Sequence, residues 1–179
     1  MNRPIGRCSR LALLLACSLP GLCAASPPQI LVVAQDLDDI VSLDPAEGYE
    51  LSSMQAFTSL YQRLVQPDPD HPETIRPALA RSWQTGDGSL VFELNPSARF
   101  ANGNPVRPED VIESLSRAVE LNLAPAFILN ALGWSAATVD HNLVKLDEHH
   151  VRIKWTAPVG PAFVLNVLGA TVASIVDER

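Results

Sequence analysis

The feature that most constrains this fold is a short segment in which apolar and polar residues alternate directly after a tight-turn sequence. Residues 90–94, L-V-F-E-L, place their three large apolar side chains on one face of an extended chain. Gly86-Asp87-Gly88 precedes them and favours a hairpin in which residues 83–85 form the partner strand. The chain must therefore build a β-sheet with one apolar face that other elements cover.

The other patterns alternate between strand and helix periods, which predicts an α/β protein. In chain order they predict a buried strand at 29–35, a helix from Ser52 or Ser53 to about Leu64, a stiff proline-rich connection at 67–77, a helix that opens at Pro108, a short helix from Pro125 to Leu132, a hairpin from about 137–146 and 150–155, a helix at 162–168 and an apolar extended run at 171–176.

The helix that opens at Pro108 has the clearest two-sided pattern. Val111, Leu115 and Val119 recur at helical spacing and form its buried stripe. Glu113 and Arg117 stand four residues apart on the opposite side, so we expect them to form an ion pair in water.

The first 25 residues have the three-part layout of a secretory signal peptide. Three arginines precede an apolar run at 11–19, and small residues follow it. We predict cleavage after Ala25, which makes residues 26–179 the mature domain. The run is about half of the roughly 20 residues that cross a bilayer, which argues against a permanent membrane helix. The alternative is a lipoprotein anchored at Cys17, within a loosely lipobox-like L-L-A-C.

Removal of this segment changes both charge and cysteine content. It takes away three arginines and no acidic residue, so the net charge falls from -7 to -10, and all three cysteines leave with it. An acidic chain without a basic cluster is repelled by phosphate backbones, which excludes nucleic acid as the expected partner. An exported domain without disulfides must be stabilised by packing of its core.

No pattern in the chain indicates catalysis, a cofactor or a metal. The four histidines, His71, His141, His149 and His150, fall in loops, at strand edges or on polar faces, where solvated roles are expected. The acidic run at 36–44 lacks the glycine and distal glutamate of a calcium loop, which favours a polar turn. No nucleophile-elbow, zinc or phosphate-loop sequence is present. We therefore expect a protein that is not an enzyme.

The middle of the chain carries a more specific signature. R-P-A-L-A-R-S-W-Q-T-G-D-G-S-L-V-F-E-L at 76–94 and R-F-A-N-G-N-P-V-R-P-E-D-V-I-E-S-L-S-R-A at 99–118 resemble the motif region of the family 5 extracellular solute-binding proteins. L-D-P at 43–45 and L-Y-x-x-L at 60–64 are similar to two further elements of that family. Arg107 departs from the family pattern, in which Ser or Thr caps the helix, and should weaken this helix end by about 1 kcal/mol.

The resemblance implies a fold and a role. The fold is the periplasmic binding protein type 2-like α/β fold, here an incomplete lobe one with a mixed sheet and a β-rich subdomain at about 46–170. The implied role is capture of oligopeptides, or a related small solute, in the periplasm for an inner-membrane ABC permease, by a receptor expected to be a monomer. Family members are much longer, so we expect the second lobe to be absent.

Four residues are candidate ligand contacts of such a lobe. Ser42 and Tyr49 lie in the loop after the first predicted strand, and Phe127 and Trp134 lie near the helix after Pro125. Trp134 follows a glycine that ends a helix, and the sequence allows its side chain to lie either in the core or in the ligand cleft. Two alternatives stay open for the whole chain: a truncated remnant that does not bind, and an exported enzyme or adhesin on the same scaffold.

Overall fold

The computed structural model describes residues 30–179, and the chain divides into two units, Met1–Gln35 and Asp36–Arg179. The predicted signal peptide, its cleavage after Ala25 and Cys17 lie outside the described residues. In the first unit, residues 30–33 form no strand and each of these side chains is at least 70% exposed. The predicted buried strand at 29–35 is therefore wrong for its described part. An apolar strand of this kind is buried only when it pairs with neighbouring strands of a sheet. In the described part of the chain, all strands of both sheets lie within residues 65–154.

The second unit contains five helices, six strands and one 3-10 turn among its described residues. In chain order they are α1 Leu51–Leu60, β1 Val65–Pro67, β2 Ile75–Pro77, β3 Ala80–Gly86, β4 Ser89–Leu94, α2 Pro108–Leu121, α3 Ala126–Asn130, α4 Val139–Asn142, β5 Leu143–Lys145, β6 His150–Lys154, α5 Pro161–Leu168 and the 3-10 turn Thr171–Ala173.

The main sheet has the strand order β3-β4-β6-β5, and β1 pairs separately with β2. The hairpin predicted from the alternating segment is confirmed: β3 and β4 pair through Gly86 and Ser89. Leu90, Phe92 and Leu94 are at most 1% exposed, as their alternation requires. Every strand pair is antiparallel in the described part of the chain, whereas the sequence suggested a mixed sheet. Residues 30–33, the candidate parallel strand, are not in strand conformation.

Helix α2 supplies the largest apolar stripe that covers this sheet. Val111, Leu115 and Val119 are at most 2% exposed and belong to the core cluster together with β4, β6, α3 and α5. Arg107 does precede the helix without a side-chain cap, as expected. The buried Asp110 carboxylate, however, accepts the Arg107 backbone N–H at 2.7 Å. This hydrogen bond at the third helical residue offsets the predicted weakness of the helix start.

Two predicted elements are shorter than their apolar patterns suggest. Helix α1 stops at Leu60, has no side-chain cap, and Tyr61 is extended. The run at 171–176 forms the 3-10 turn and then a single bridge, in which Ile175 N–H donates to Gln62 C=O at 2.9 Å. After Leu60 the backbone is extended and forms the Gln62–Ile175 bridge with this later segment.

A polar cluster on the solvent side of the sheet gives a pH prediction. Glu93 accepts hydrogen bonds from Arg81 and from Ser82, which lower the pKa of Glu93 from 4.5 to about 2. Because this pKa is depressed in the folded chain, the interaction stabilises the fold above pH 4.5 and is lost as the pH falls toward 2. We expect Arg81→Gln to lower the unfolding free energy near neutral pH, and the difference from the native chain to shrink across this window.

Urea unfolding at several pH values measures this effect. Because both side chains reach solvent, high salt should shrink the difference as well. A difference that stays constant through the acidic window would contradict the role assigned to this pair.

Candidate functional site

The loop at residues 36–50 carries two of the predicted ligand contacts and is organised by its own acidic residues. The Asp36 carboxylate accepts the Asp38 N–H at 3.0 Å, and the Asp39 carboxylate accepts the Ser52 N–H at 3.3 Å. Within residues 30–179, no group of three or more His, Cys, Asp or Glu side chains is placed to hold a metal ion. Asp36 thus closes a turn within the loop, and Asp39 accepts a backbone N–H at the start of helix α1.

Asp44 links this loop to helix α2. Arg117 donates from Nη1 to Asp44 Oδ1 at 3.0 Å and from Nη2 to Oδ2, a two-pronged ion pair. The Arg117 hydrogen bond holds the pKa of Asp44 below its usual value, and Asp44 raises the pKa of Arg117. The Ala46 N–H also donates to Asp44 Oδ1 at 2.9 Å. The predicted partner of Arg117, Glu113, is thus replaced by a residue distant in sequence.

A close backbone approach at Gly48 fixes the second half of the loop. Gly48 N–H donates to the Asp44 carbonyl at 2.8 Å. A Cβ atom at Gly48 would lie 2.6 Å from the Ser42 carbonyl oxygen and 2.7 Å from Phe57 Cζ. Only glycine fits here, so the loop packs directly on a phenylalanine that is 1% exposed.

Two of the four candidate contacts meet at the end of this loop. The rings of Tyr49 and Phe127 stand edge to face, with 5.5 Å between centroids and 88° between planes. Tyr49 is 40% exposed and Phe127 is 57% exposed. The pair comes from two separate elements, the loop and α3, and presents a half-exposed aromatic surface of the kind that stacks on ligands.

The other two candidates have different surroundings. Ser42 is half-buried in the loop, and its hydroxyl accepts the Asp44 N–H at 3.0 Å. Trp134 is 3% exposed in the core, and its indole N–H donates to the Lys154 carbonyl at 2.8 Å. Trp134 therefore has almost no surface to offer a ligand.

Sequence reasoning missed Arg117 and Tyr61 as parts of this site. The Tyr61 hydroxyl donates to the Leu43 carbonyl at 2.9 Å and so anchors the loop from the end of α1. Tyr61 also lines two concavities of about 560 and 450 Å³, the second of which contains Arg117. Neither concavity is lined by Tyr49 or Phe127. The available signals were the similarity of L-D-P, of L-Y-x-x-L and of the 99–118 segment, which contains Arg117, to elements of the family.

The comparisons with known proteins agree with one another. The family model described as bacterial extracellular solute-binding proteins, family 5 middle, matches residues 74–179. The chain is 34% identical over 164 residues to the probable D,D-dipeptide-binding periplasmic protein DdpA of Escherichia coli K12, which covers 88% of this chain. The Escherichia coli murein tripeptide binding protein MppA superposes with a TM-score of 0.67 at 27% identity over 79% of this chain.

A third relative supports the fold alone. Haemophilus influenzae OppA in complex with the peptide RPPGFSPFR superposes with a TM-score of 0.68 at 21% identity over 78% of this chain. In every one of these three comparisons the matched region is no more than 30% of the relative's length. In addition, none of the helices described within residues 30–179 combines the length and apolarity needed to cross a membrane.

The two tyrosines of the site allow a matched pair of substitutions. Tyr61→Phe removes the hydroxyl that anchors the Leu43 carbonyl, so we expect it to lower the unfolding free energy by about 0.5–1 kcal/mol. Tyr49→Phe keeps the ring contact with Phe127, and within residues 30–179 the Tyr49 hydroxyl makes no hydrogen bond, so we expect a change near zero. Urea unfolding measures both, and equal losses would contradict the anchoring role of Tyr61.

Proposed function

Because the chain belongs to the bacterial extracellular solute-binding proteins of family 5, we propose that it forms part of a periplasmic receptor for small peptides or a related solute. The receptor passes its ligand to an ABC permease of the inner membrane. The chain is exported by its first 25 residues, works as a monomer and uses no cofactor. Binding, with no chemical change of the ligand, is its whole activity.

The observation that carries this proposal is the aromatic pair of Tyr49 and Phe127. Large aromatic side chains are costly to leave in water, and here two of them are half exposed while in contact with each other. The loop below them is held by an ion pair, by the Tyr61 hydroxyl and by the Gly48 packing. A surface of this kind is preorganised, so little entropy is lost when a ligand stacks on it.

The names of the relatives favour short peptides as the ligand class. DdpA is named for D,D-dipeptides and MppA for a murein tripeptide. Aromatic faces accept the apolar side chains and the peptide planes of such ligands without demanding one sequence. We therefore choose D-alanyl-D-alanine as the probe, with L-alanyl-L-alanine as its stereochemical comparison.

One aromatic surface supplies only part of the contacts of an enclosed ligand. A dissociation constant of about 1 µM corresponds to a binding free energy of about 8 kcal/mol. If half of the contacts are missing, about 4 kcal/mol remains, which corresponds to a dissociation constant of about 1 mM. We therefore expect this chain to bind a dipeptide weakly. The alternative from the sequence, a remnant that binds nothing, predicts no interaction at all.

Titration of the full 179-residue chain with each dipeptide, followed by ¹H–¹⁵N NMR, tests the proposal. We expect saturable shifts centred on Tyr49 and Phe127 with a dissociation constant of about 1 mM. Phe127→Ala should weaken binding about fivefold, the effect of losing roughly 1 kcal/mol of aromatic contact.

The matched control is Phe163→Ala on α5, which removes a phenylalanine that is 45% exposed and lies outside the aromatic pair. We expect its affinity to equal that of the native chain. Absence of shifts up to about 20 mM ligand would support the remnant, and a dissociation constant below about 10 µM would contradict the partial-site argument.

A further inference from the structure

The aromatic pair is assembled from two elements that are not neighbours along the chain. Tyr49 is the last residue but one of the loop at 36–50, and Phe127 lies in α3, a helix of one and a half turns. Neither element is long enough to fix its own position, because short helices and loops are marginal without outside contacts. Something else must set the 5.5 Å spacing between the two rings.

Helix α2 contacts both elements. On one side Arg117 holds the loop through both oxygens of Asp44. At the end of α2, Asn122 takes the left-handed conformation, with φ of 47°, and its side-chain oxygen accepts a hydrogen bond from Asn130 Nδ2 of α3 at 3.1 Å. Since the same rigid helix carries both attachments, α2 is the common frame of Tyr49 and Phe127.

The path from Arg117 to Tyr49 is short and stiff. The Asp44 carbonyl accepts the N–H groups of Glu47 and Gly48, at 3.0 and 2.8 Å. Gly48, the residue before Tyr49, has no free space around its Cα because the Ser42 carbonyl and Phe57 enclose it. A shift of Asp44 therefore moves the backbone that carries Tyr49, because the tightly packed residues between them cannot compensate for it.

From this arrangement we infer that Arg117 is a positioning residue: through Asp44 it sets the position of Tyr49 against Phe127 on the ligand-facing surface. The inference deepens the proposed function and rests on it for the identity of that surface. Arg117 itself need not touch the ligand, since its guanidinium is occupied by Asp44. A purely stabilising ion pair would instead lower stability and leave the folded aromatic pair unchanged.

Fluorine NMR separates the two roles without any ligand. The chain has two tyrosines, Tyr49 and Tyr61. Full-length protein that contains 3-fluorotyrosine therefore gives two ¹⁹F signals, which Tyr49→Phe and Tyr61→Phe assign. Phe127→Ala then defines the chemical shift of Tyr49 when its ring partner is missing.

We expect Arg117→Gln to move the Tyr49 signal by at least half of the Phe127→Ala displacement. Arg117→Lys, which keeps the charge but loses the two-pronged geometry, should give an intermediate displacement. The matched control is Glu113→Gln, which removes the exposed carboxylate one turn away on the same helix and should leave the signal in place.

Two results would overturn the inference. One is a Tyr49 signal that stays within a tenth of the Phe127→Ala displacement in Arg117→Gln, whatever the change in melting temperature. The other is an equal displacement in Glu113→Gln. The proposed function is tested separately. If the Tyr49 signal of the native protein does not respond to about 20 mM D-alanyl-D-alanine, the binding role is contradicted, but the result on the position of Tyr49 still holds.

Discussion

The candidate site depends on one interaction, the ion pair of Asp44 and Arg117. Its strength comes from geometry, because the planar guanidinium meets both carboxylate oxygens. The ion pair connects the loop to the core, because Ala118 and Val119, which follow Arg117 on α2, are buried there. A loop that exposes most of its large apolar side chains is thereby fastened to a helix whose inner face is buried in the core. In our account this attachment, together with the Tyr61 hydroxyl and the packing at Gly48, gives the exposed aromatic pair its defined geometry.

The sequence predicts the features that local physical chemistry decides. The alternation at 90–94 fixed which side chains face inward, and Leu90 and Phe92 are indeed fully buried. Pro108 begins a helix as predicted because its fixed backbone angle suits the first turn. The family resemblance at 76–118 is confirmed by the family model and by the structural relatives, as is the α/β fold of the periplasmic binding proteins.

Features that depend on distant partners could not be predicted. Helical spacing assigned Arg117 to Glu113, but a carboxylate from a remote loop offers better geometry. The apolar run at 30–33 has the composition of a buried strand, yet burial requires neighbours that composition does not specify. The position of Trp134 was open because a glycine-ended helix can direct the next side chain inward or outward, and only packing decides. The contact of Tyr49 with Phe127 likewise follows from assembly on α2.

A double-mutant cycle of Asp44→Asn and Arg117→Gln, measured by urea unfolding at low salt, tests the central claim most directly. Both partners are about one-third exposed, which reduces the value of the pair, so we expect a coupling free energy of about 1 kcal/mol. The corresponding cycle with Glu113→Gln and Arg117→Gln should give no more than about 0.3 kcal/mol. A coupling between Asp44 and Arg117 that is indistinguishable from zero would contradict the account, because the loop would then be held without this pair.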